Sequence, residues 1–187
     1  MKRIAIFASG SGSNAQCIAA YFKTNNQVSV ECIVCNNPNA KVLDRARKFG
    51  IPTILINRSQ FLETDEVVQT LLDKNIDLIV LAGFLWLIPK NLIQNFQIIN
   101  IHPALLPQYG GKGMYGMNVH RAVVNNKETE TGITIHMVNE KYDEGKIVFQ
   151  TTCEVTPSDS PERVAEKVHQ LEHKHYPQVI EKIISEL

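Results

Sequence analysis

Two polar side chains in the apolar run Ile98-Ile99-Asn100-Ile101-His102-Pro103 have the types and the spacing to act on a carbonyl carbon. On an extended backbone, residues two apart share a face. Asn100 and His102 therefore point one way, and Ile99 and Ile101 the other. An amide N–H can hold a developing oxyanion, and an imidazole beside it can move a proton or carry positive charge. A buried Asn–His couple satisfied by backbone groups explains the same pattern equally well. A third group comes from Gly132-Ile133-Thr134-Ile135-His136-Met137-Val138 and the turn after it. Thr134, His136 and Val138 share one face of that alternating strand. Asp143 lies in the turn before Gly145, where Asp also serves turn geometry alone. Beside His102, its carboxylate is expected to raise the imidazole pKa and favour imidazolium.

A second chemical centre is the turn Gly10-Ser11-Gly12-Ser13-Asn14, which follows the apolar run Ile4–Ala8 and precedes a helical stretch over Ala15–Lys23. Glycines let a ligand approach the backbone, and free N–H groups at a helix start attract phosphate. Ser11, Ser13 and Asn14 add side-chain donors. Gly10-x-Gly12-x-x-Ala15 formally fits the dinucleotide fingerprint. That reading also requires an acid at the end of the next strand to hold a ribose, and Val34-Cys35-Asn36-Asn37 supplies none. A single phosphate needs no such acid. The absence of Lys-Ser/Thr after the glycines removes a P-loop.

These residues require elements to hold them. Apolar runs alternate with helical patterns along the 187 residues without a linker or repeat. Strands are predicted over Ile4–Ala8, Val28–Val34, Pro52–Ile56, Asp77–Ala82 and the Asn100 segment. Helices are predicted over Ala15–Lys23, Ala40–Phe49, Phe61–Lys74 and Pro89–Asn95. Beyond Pro103 come a glycine-rich loop, a helix over Asn118–Asn125, strands over Gly132–Val138 and Lys146–Glu154, and a closing helix over Ser160–Glu186. Alternation of this kind implies α/β: a single doubly wound, mostly parallel sheet with helices on both faces. Little helix separates the later strands, so that edge is expected to be mixed. The whole of 1–187 is read as one domain.

Net charge is +0, with 44% hydrophobic and 20% charged residues. No broad basic field argues for nucleic acid or an anionic membrane, and no apolar run reaches the ~18 residues of a membrane span. Cys17, Cys32, Cys35 and Cys153 are scattered, which suits the reducing cytoplasm. Cys32-x-x-Cys35 lies inside a strand rather than at a helix start, where a redox pair belongs. His169 and His173 share a helix face, but no partner cluster suggests zinc, and no metal is expected. The loop Gly110–Gly116 has the composition of a lid.

Gly10-Ser11-Gly12-Ser13-Asn14, Leu81-Ala82-Gly83-Phe84, Asn100-Ile101-His102-Pro103-Ala104-Leu105-Leu106-Pro107 and Asp143-x-Gly145 occur here in one order and spacing. Together they resemble the phosphoribosylglycinamide formyltransferases, the folate-dependent enzymes of purine biosynthesis, with a Rossmann-like formyltransferase fold. The resemblance runs from Met1 to the closing helix. His102–Pro107 alone is similar to other formyl-folate enzymes, the methionyl-tRNA formyltransferases and formyltetrahydrofolate hydrolases. The phosphate turn, and the expectation that no further domain precedes or follows this core, separate this chain from them.

The resemblance implies transfer of formyl from 10-formyltetrahydrofolate, as co-substrate, to the amine of 5-phosphoribosylglycinamide. It implies no metal, no nucleic-acid partner and a monomer or weak homodimer. The N-terminal part is expected to bind the ribonucleotide through Gly10, Gly12, Ser13 and Asn14, with Glu172 near the ribose. The C-terminal part is expected to bind folate and carry catalysis. Asn100 and protonated His102 stabilise the oxyanion, His102 donates a proton in its collapse, and Asp143 keeps His102 charged. The pterin is expected against Leu85, Trp86, Leu87 and Ile88, with Asn100, Val138 and Glu140 also lining it. Family members usually carry Met-Arg where this chain has Leu85-Trp86, so contacts there rest more on backbone and packing.

Overall fold

The computed structural model describes every residue, Met1–Leu187. Ile4–Ala8 is apolar at every position because both faces of the strand it forms, β1 (Lys2–Ala8), are covered. Ile4, Ile6 and Ala8 enter one hydrophobic cluster, while Ala5 and Phe7 enter another on the opposite face. β1 pairs in parallel with β2 (Val28–Cys35), and β2 with β3 (Thr53–Leu55). On its other side β1 pairs in parallel with β4 (Leu78–Leu81), and β4 with β5 (Gln97–His102). β6 (Glu130–Met137) and β7 (Ile147–Glu154) complete the sheet as antiparallel strands. The order β3-β2-β1-β4-β5-β6-β7 makes a seven-stranded, doubly wound, mostly parallel sheet with the mixed edge expected.

One face is packed by α1 (Ser13–Phe22), α2 (Val42–Phe49), α6 (Met117–Asn125) and α7 (Pro161–Ser185). The other carries α3 (Arg58–Leu62), α4 (Glu66–Asp73) and α5 (Lys90–Asn95). The single helix expected over Phe61–Lys74 is two. Asn57 and Gln60 form a capping box that starts α3 three residues before Phe61. Thr64 then breaks the pattern: its hydroxyl donates to the Gln60 carbonyl and accepts from the Glu66 N–H, and Asn91 holds its own carbonyl. The apolar period continues across the break, which is why periodicity alone joins the two. α7 begins as expected, with Ser160 accepting from the Arg163 N–H and Pro161 at the first position.

The strand order reverses between β1 and β4, and the crevice beyond the carboxyl ends of such strands is where doubly wound sheets bind ligands. The loops after β1, β4 and β5 all open there. Two contacts tie the first two loops together: the Ser9 N–H donates to the Gly83 carbonyl, and the Leu85 N–H to the Ser9 hydroxyl at 3.1 Å. Fully buried Tyr176 on α7 donates its hydroxyl to the Leu81 carbonyl at 2.9 Å, fixing the end of β4 from behind.

Candidate active site

Gly12 has φ 72° and stands at the N-cap of α1, leaving the first N–H groups of the helix unbonded. A Cβ at this position would lie 2.5 Å from Val42 Cγ2 and 2.8 Å from Val42 Cα, the second a backbone atom of α2. Gly12→Ala therefore meets both backbone strain and a clash. It is expected to destabilise the fold by roughly 1–3 kcal/mol and to weaken phosphate-ester binding, readable as a lowered Tm that a phosphate ester restores poorly. Arg45 on α2 grips the turn from outside, its Nε donating to the Ser11 carbonyl at 2.7 Å and its guanidinium also to the Gln16 amide. Across the cleft the Asn14 amide donates to Glu172 Oε2 at 3.0 Å. Glu172 is 5% exposed, and burial pushes its carboxyl up while the Asn14 amide and the His169 charge pull it down.

Asn100 and His102 lie at the end of β5 and face the cleft together. His102 Nε2 is 2.7 Å from the Tyr109 carbonyl, which can only accept, so Nε2 carries a proton. Nδ1 faces Asp143 Oδ2 at 3.5 Å. The exchangeable proton of His102 is thus the one on Nδ1, on the carboxylate side. Tyr109 holds its carbonyl there at φ 57°, its hydroxyl donating to Glu128 at 2.6 Å and accepting from Asn126. Buried Thr134 fixes the turn after His102. Its hydroxyl donates to the Ala104 carbonyl and accepts from the Leu106 N–H and the Gln150 amide.

Asp143 sits at φ 56°, in the left-handed region that Asp tolerates better than most residues. Its Oδ2 accepts the Gly111 N–H at 2.9 Å and its Oδ1 the Asn100 amide at 3.4 Å. Burial pushes the carboxyl up. Protonated His136 and His102, together with the Gly111 N–H, outweigh it and leave the group below its ordinary value. For His102 the balance differs from the sequence expectation. Asp143 and the Tyr109 carbonyl do raise its pKa, but burial, joined by His136, wins, and the imidazole titrates below its ordinary value. The carboxylate is in place, yet at 3.5 Å in a site with little water it does not by itself keep His102 charged.

His136 completes the set, and single-strand reasoning missed it. It lies directly opposite Asn100 in the antiparallel β5–β6 ladder. Its Nδ1 contacts the Met137 carbonyl at 2.9 Å and so carries the proton of the neutral ring. Nε2 then accepts from Asn100 Nδ2 at 3.1 Å and stands 3.5 Å from Asp143 Oδ1. The signal was present in the sequence, since His136 shares a strand face with Thr134 and Val138, but its use depends on a pairing register that the strand does not state. The amide nitrogen of Asn100 divides its two protons between a firm acceptor at 3.1 Å and a loose one at 3.4 Å.

The phosphate turn and the Asn100, His102, His136 and Asp143 side chains line one cleft of about 330 Å³, within the size range of small-molecule sites. Gly10, Gly12, Ser13, Asn14 and Glu172 form one end, Asn100, His102, His136 and Asp143 the middle, and Leu85, Trp86, Leu87, Ile88 and Val138 the apolar end. Trp86 is held against Phe61 and Phe84, with ring centroids 5.5 and 6.1 Å away. Glu140 departs from expectation. It is exposed and does not line the cleft, although its neighbours Asn139 and Lys141 do, because the β6 alternation ends at Met137 and no longer sets which side chains face inward. No group of three or more His, Cys, Asp or Glu side chains is arranged to hold a metal ion.

The family model described as formyl transferase matches residues 2–180. The chain belongs to the formyl transferase family. Within that family it is 40% identical to the Arabidopsis thaliana protein named phosphoribosylglycinamide formyltransferase, chloroplastic, over 99% of this chain and 66% of that one. It is 36% identical to the Bacillus subtilis phosphoribosylglycinamide formyltransferase, over 98% of this chain and 95% of the relative. The chain thus spans about two thirds of the plant protein's length and nearly all of the bacterial one's. The crystal structure of glycinamide ribonucleotide transformylase 1 from Geobacillus kaustophilus superposes with TM-score 0.88 at 34% identity, covering 98% of this chain and 99% of that one. This formyl transferase family fold explains the doubly wound sheet and the shared cleft at its switch point.

Proposed function

We propose that this chain transfers the formyl group of 10-formyltetrahydrofolate to the amine of 5-phosphoribosylglycinamide, giving the formylated ribonucleotide and tetrahydrofolate in purine biosynthesis. One observation carries the reading: a phosphate turn and an Asn–His–Asp set open into the same cleft, with an apolar wall beyond. The similarity to proteins named for this activity supports it.

In this reading the ribonucleotide phosphate rests on Gly10, Gly12, Ser13 and Asn14, with Glu172 at the ribose, and the pterin lies against Leu85–Ile88 and Val138. The neutral amine attacks the formyl carbon, and the carbonyl electron pair becomes an oxyanion. Asn100 releases its loose 3.4 Å bond to Asp143 and turns that proton to the oxyanion. The amine, now a cation, loses a proton to His102 Nδ1, and the imidazolium is stabilised between oxyanion and Asp143. Collapse re-forms the carbonyl, breaks the bond to N10 of the folate and returns the proton from His102 to that nitrogen. Charge on His102 therefore arises with the oxyanion rather than before it, which suits an imidazole whose resting pKa burial has lowered.

The chain works as one catalytic domain, N-terminal residues serving the ribonucleotide and C-terminal ones the folate, as a monomer or weak homodimer. No helix is long and apolar enough to cross a membrane. All four cysteines are free, which supports a cytoplasmic setting.

The assay follows loss of 10-formyltetrahydrofolate with and without 5-phosphoribosylglycinamide. Consumption is expected only with the ribonucleotide, one product formed per folate consumed. Consumption independent of it would mean a hydrolase and sink the transferase reading. No consumption by folded protein in either case would leave a ligand-binding module.

A further inference from the structure

The phosphate end of the cleft holds a set of imidazoles that the transfer chemistry leaves unused. His169 and His173 on α7 stack face to face, with ring centroids 6.3 Å apart and an interplanar angle of 8°. His120 on α6 meets His169 edge-on at 6.4 Å. His120 and His169 line the same cleft as the Gly10–Asn14 turn. Beside them, Asn14 Oδ1 and His173 Nε2 are buried polar atoms with no hydrogen-bond partner. Unsatisfied polar atoms on two elements flanking one opening are uncommon in a finished interior.

The charges there are unequal to a phosphate monoester. Such a group carries close to two negative charges at neutral pH, and the turn itself presents only backbone N–H groups and neutral side chains. Arg45, anchored on the Ser11 carbonyl, supplies one permanent positive charge from outside the turn. Lys141, the one lysine on the cleft wall, is paired with Glu144 at 3.0 Å on the far side.

We propose that His169 supplies the second, titratable half of the phosphate's counter-charge, so that binding the ribonucleotide phosphate takes up a proton at its ring. The proposal rests on the reading of this cleft as a ribonucleotide site and specifies how that end is recognised and how pH governs it. His169 is the member of the set able to do this. His120 is 2% exposed, and burial, with the His169 and His102 charges, pushes it down to about 4, so it stays neutral. Burial, His169 and Arg45 hold His173 below its ordinary value, leaving it a neutral stacking support. The His169 side chain is half-exposed and open to the cleft. The groups that face this set are His120 from α6, His102 from β5, Asn14 and the neutral thiol of Cys17 from α1, Arg45 from α2, and Glu172 and His173 from α7 itself. Glu172 stands 4.0 Å from His169 Nε2 and accepts from Asn14 of the phosphate turn, which ties His169 to that end of the cleft.

The test uses ribose 5-phosphate, which has the phosphate but neither the amine nor any need of folate. Its Kd is measured calorimetrically between pH 6.5 and 8.5 in two buffers of different ionisation enthalpy. Wild type is expected to take up protons on binding near pH 7 and to weaken roughly tenfold across the range, the worth of one charge-assisted hydrogen bond. The phosphate itself gains negative charge over that range, so its own titration pushes the other way. His169→Lys keeps the charge and is expected to give a flat Kd with no proton uptake. His169→Gln is expected to bind weakly at every pH. A flat wild-type Kd, or a wild-type slope retained in His169→Lys, overturns the proposal. Formyl transfer to the ribonucleotide is read separately, so transfer without the proton linkage defeats this inference alone, and linkage without transfer defeats the functional reading alone.

Discussion

Replacing Asn100 with alanine is expected to lower kcat for formyl transfer by about 10²–10³-fold, the usual cost of one oxyanion donor. The same change should leave the fold nearly intact. Asn100 is only partly buried, and what it leaves behind is His136 Nε2 without its donor at 3.1 Å and Asp143 Oδ1 without a loose one at 3.4 Å. That costs on the order of 1 kcal/mol, or about 2–4 °C in Tm for a chain of this size. Turnover at saturating levels of both substrates, with a thermal melt of the same protein, separates the two effects. Asn100→Asp keeps the shape but replaces the donor with a second carboxylate facing Asp143 Oδ1, so its kcat should fall at least as far as that of the alanine variant. A kcat within about threefold of wild type in Asn100→Ala would show that Asn100 only supports the ladder and that some other donor holds the oxyanion.

Why the sequence says so much about Asn100 and His102, and so little about His136, follows from how each is placed. The strand period of two puts Asn100 and His102 on one face whatever lies beside them, so their agreement is local and readable. The Gly12 turn is local too: strand, glycine, hydroxyl side chains and helix start occupy consecutive residues. His136 acts only because β6 runs antiparallel to β5 in a register that sets it opposite Asn100. A shift of one residue would turn it to the other face. The same limit explains Glu140, which likeness of position sets on the pterin wall but which lies past the end of β6, where the strand period no longer decides the facing side. It explains the split of α3 and α4 as well, since Thr64 is an ordinary helix residue until its hydroxyl finds the Gln60 carbonyl. The balance at His102 was unreadable for a different reason. A neighbouring carboxylate can be inferred from a turn, but how much water the site excludes depends on everything packed around it.

That balance makes Asp143→Asn the most informative single change. The asparagine can still accept the Gly111 N–H, so the turn keeps its main tie, but the negative charge 3.5 Å from His102 Nδ1 is gone. Of the forces on the His102 pKa, Asp143 is the largest that raises it, so removing it lets burial lower the imidazole further. Two results are expected in the pH–rate profile. The plateau falls by about 10²-fold or more, because the imidazolium formed with the oxyanion has lost its counter-ion. The acid limb, where activity is lost as resting His102 becomes protonated, moves to lower pH. A profile that falls in height without moving would place Asp143 in support of the loop alone.

Stability should follow the same signs. Asp143 titrates below its ordinary value in the fold, so its contribution is present above about pH 4 and is lost as pH falls through its folded pKa. His102 is also depressed, but for a base this means that the fold prefers the neutral ring. Its penalty begins as pH falls below about 6.5 and is complete below its folded pKa. Wild type should therefore lose stability in two stages on acidification. Asp143→Asn should deepen the first, since a charged His102 then has no partner, and reduce the second to what Asp159 and Glu162 contribute, which the midpoints of urea unfolding at pH 7.5, 5.5 and 3.5 can separate. A variant whose midpoint falls with pH in parallel with wild type would mean that His102 and Asp143 do not share their charge in the folded state, and that Asp143 is not the counter-ion of the imidazolium formed during transfer.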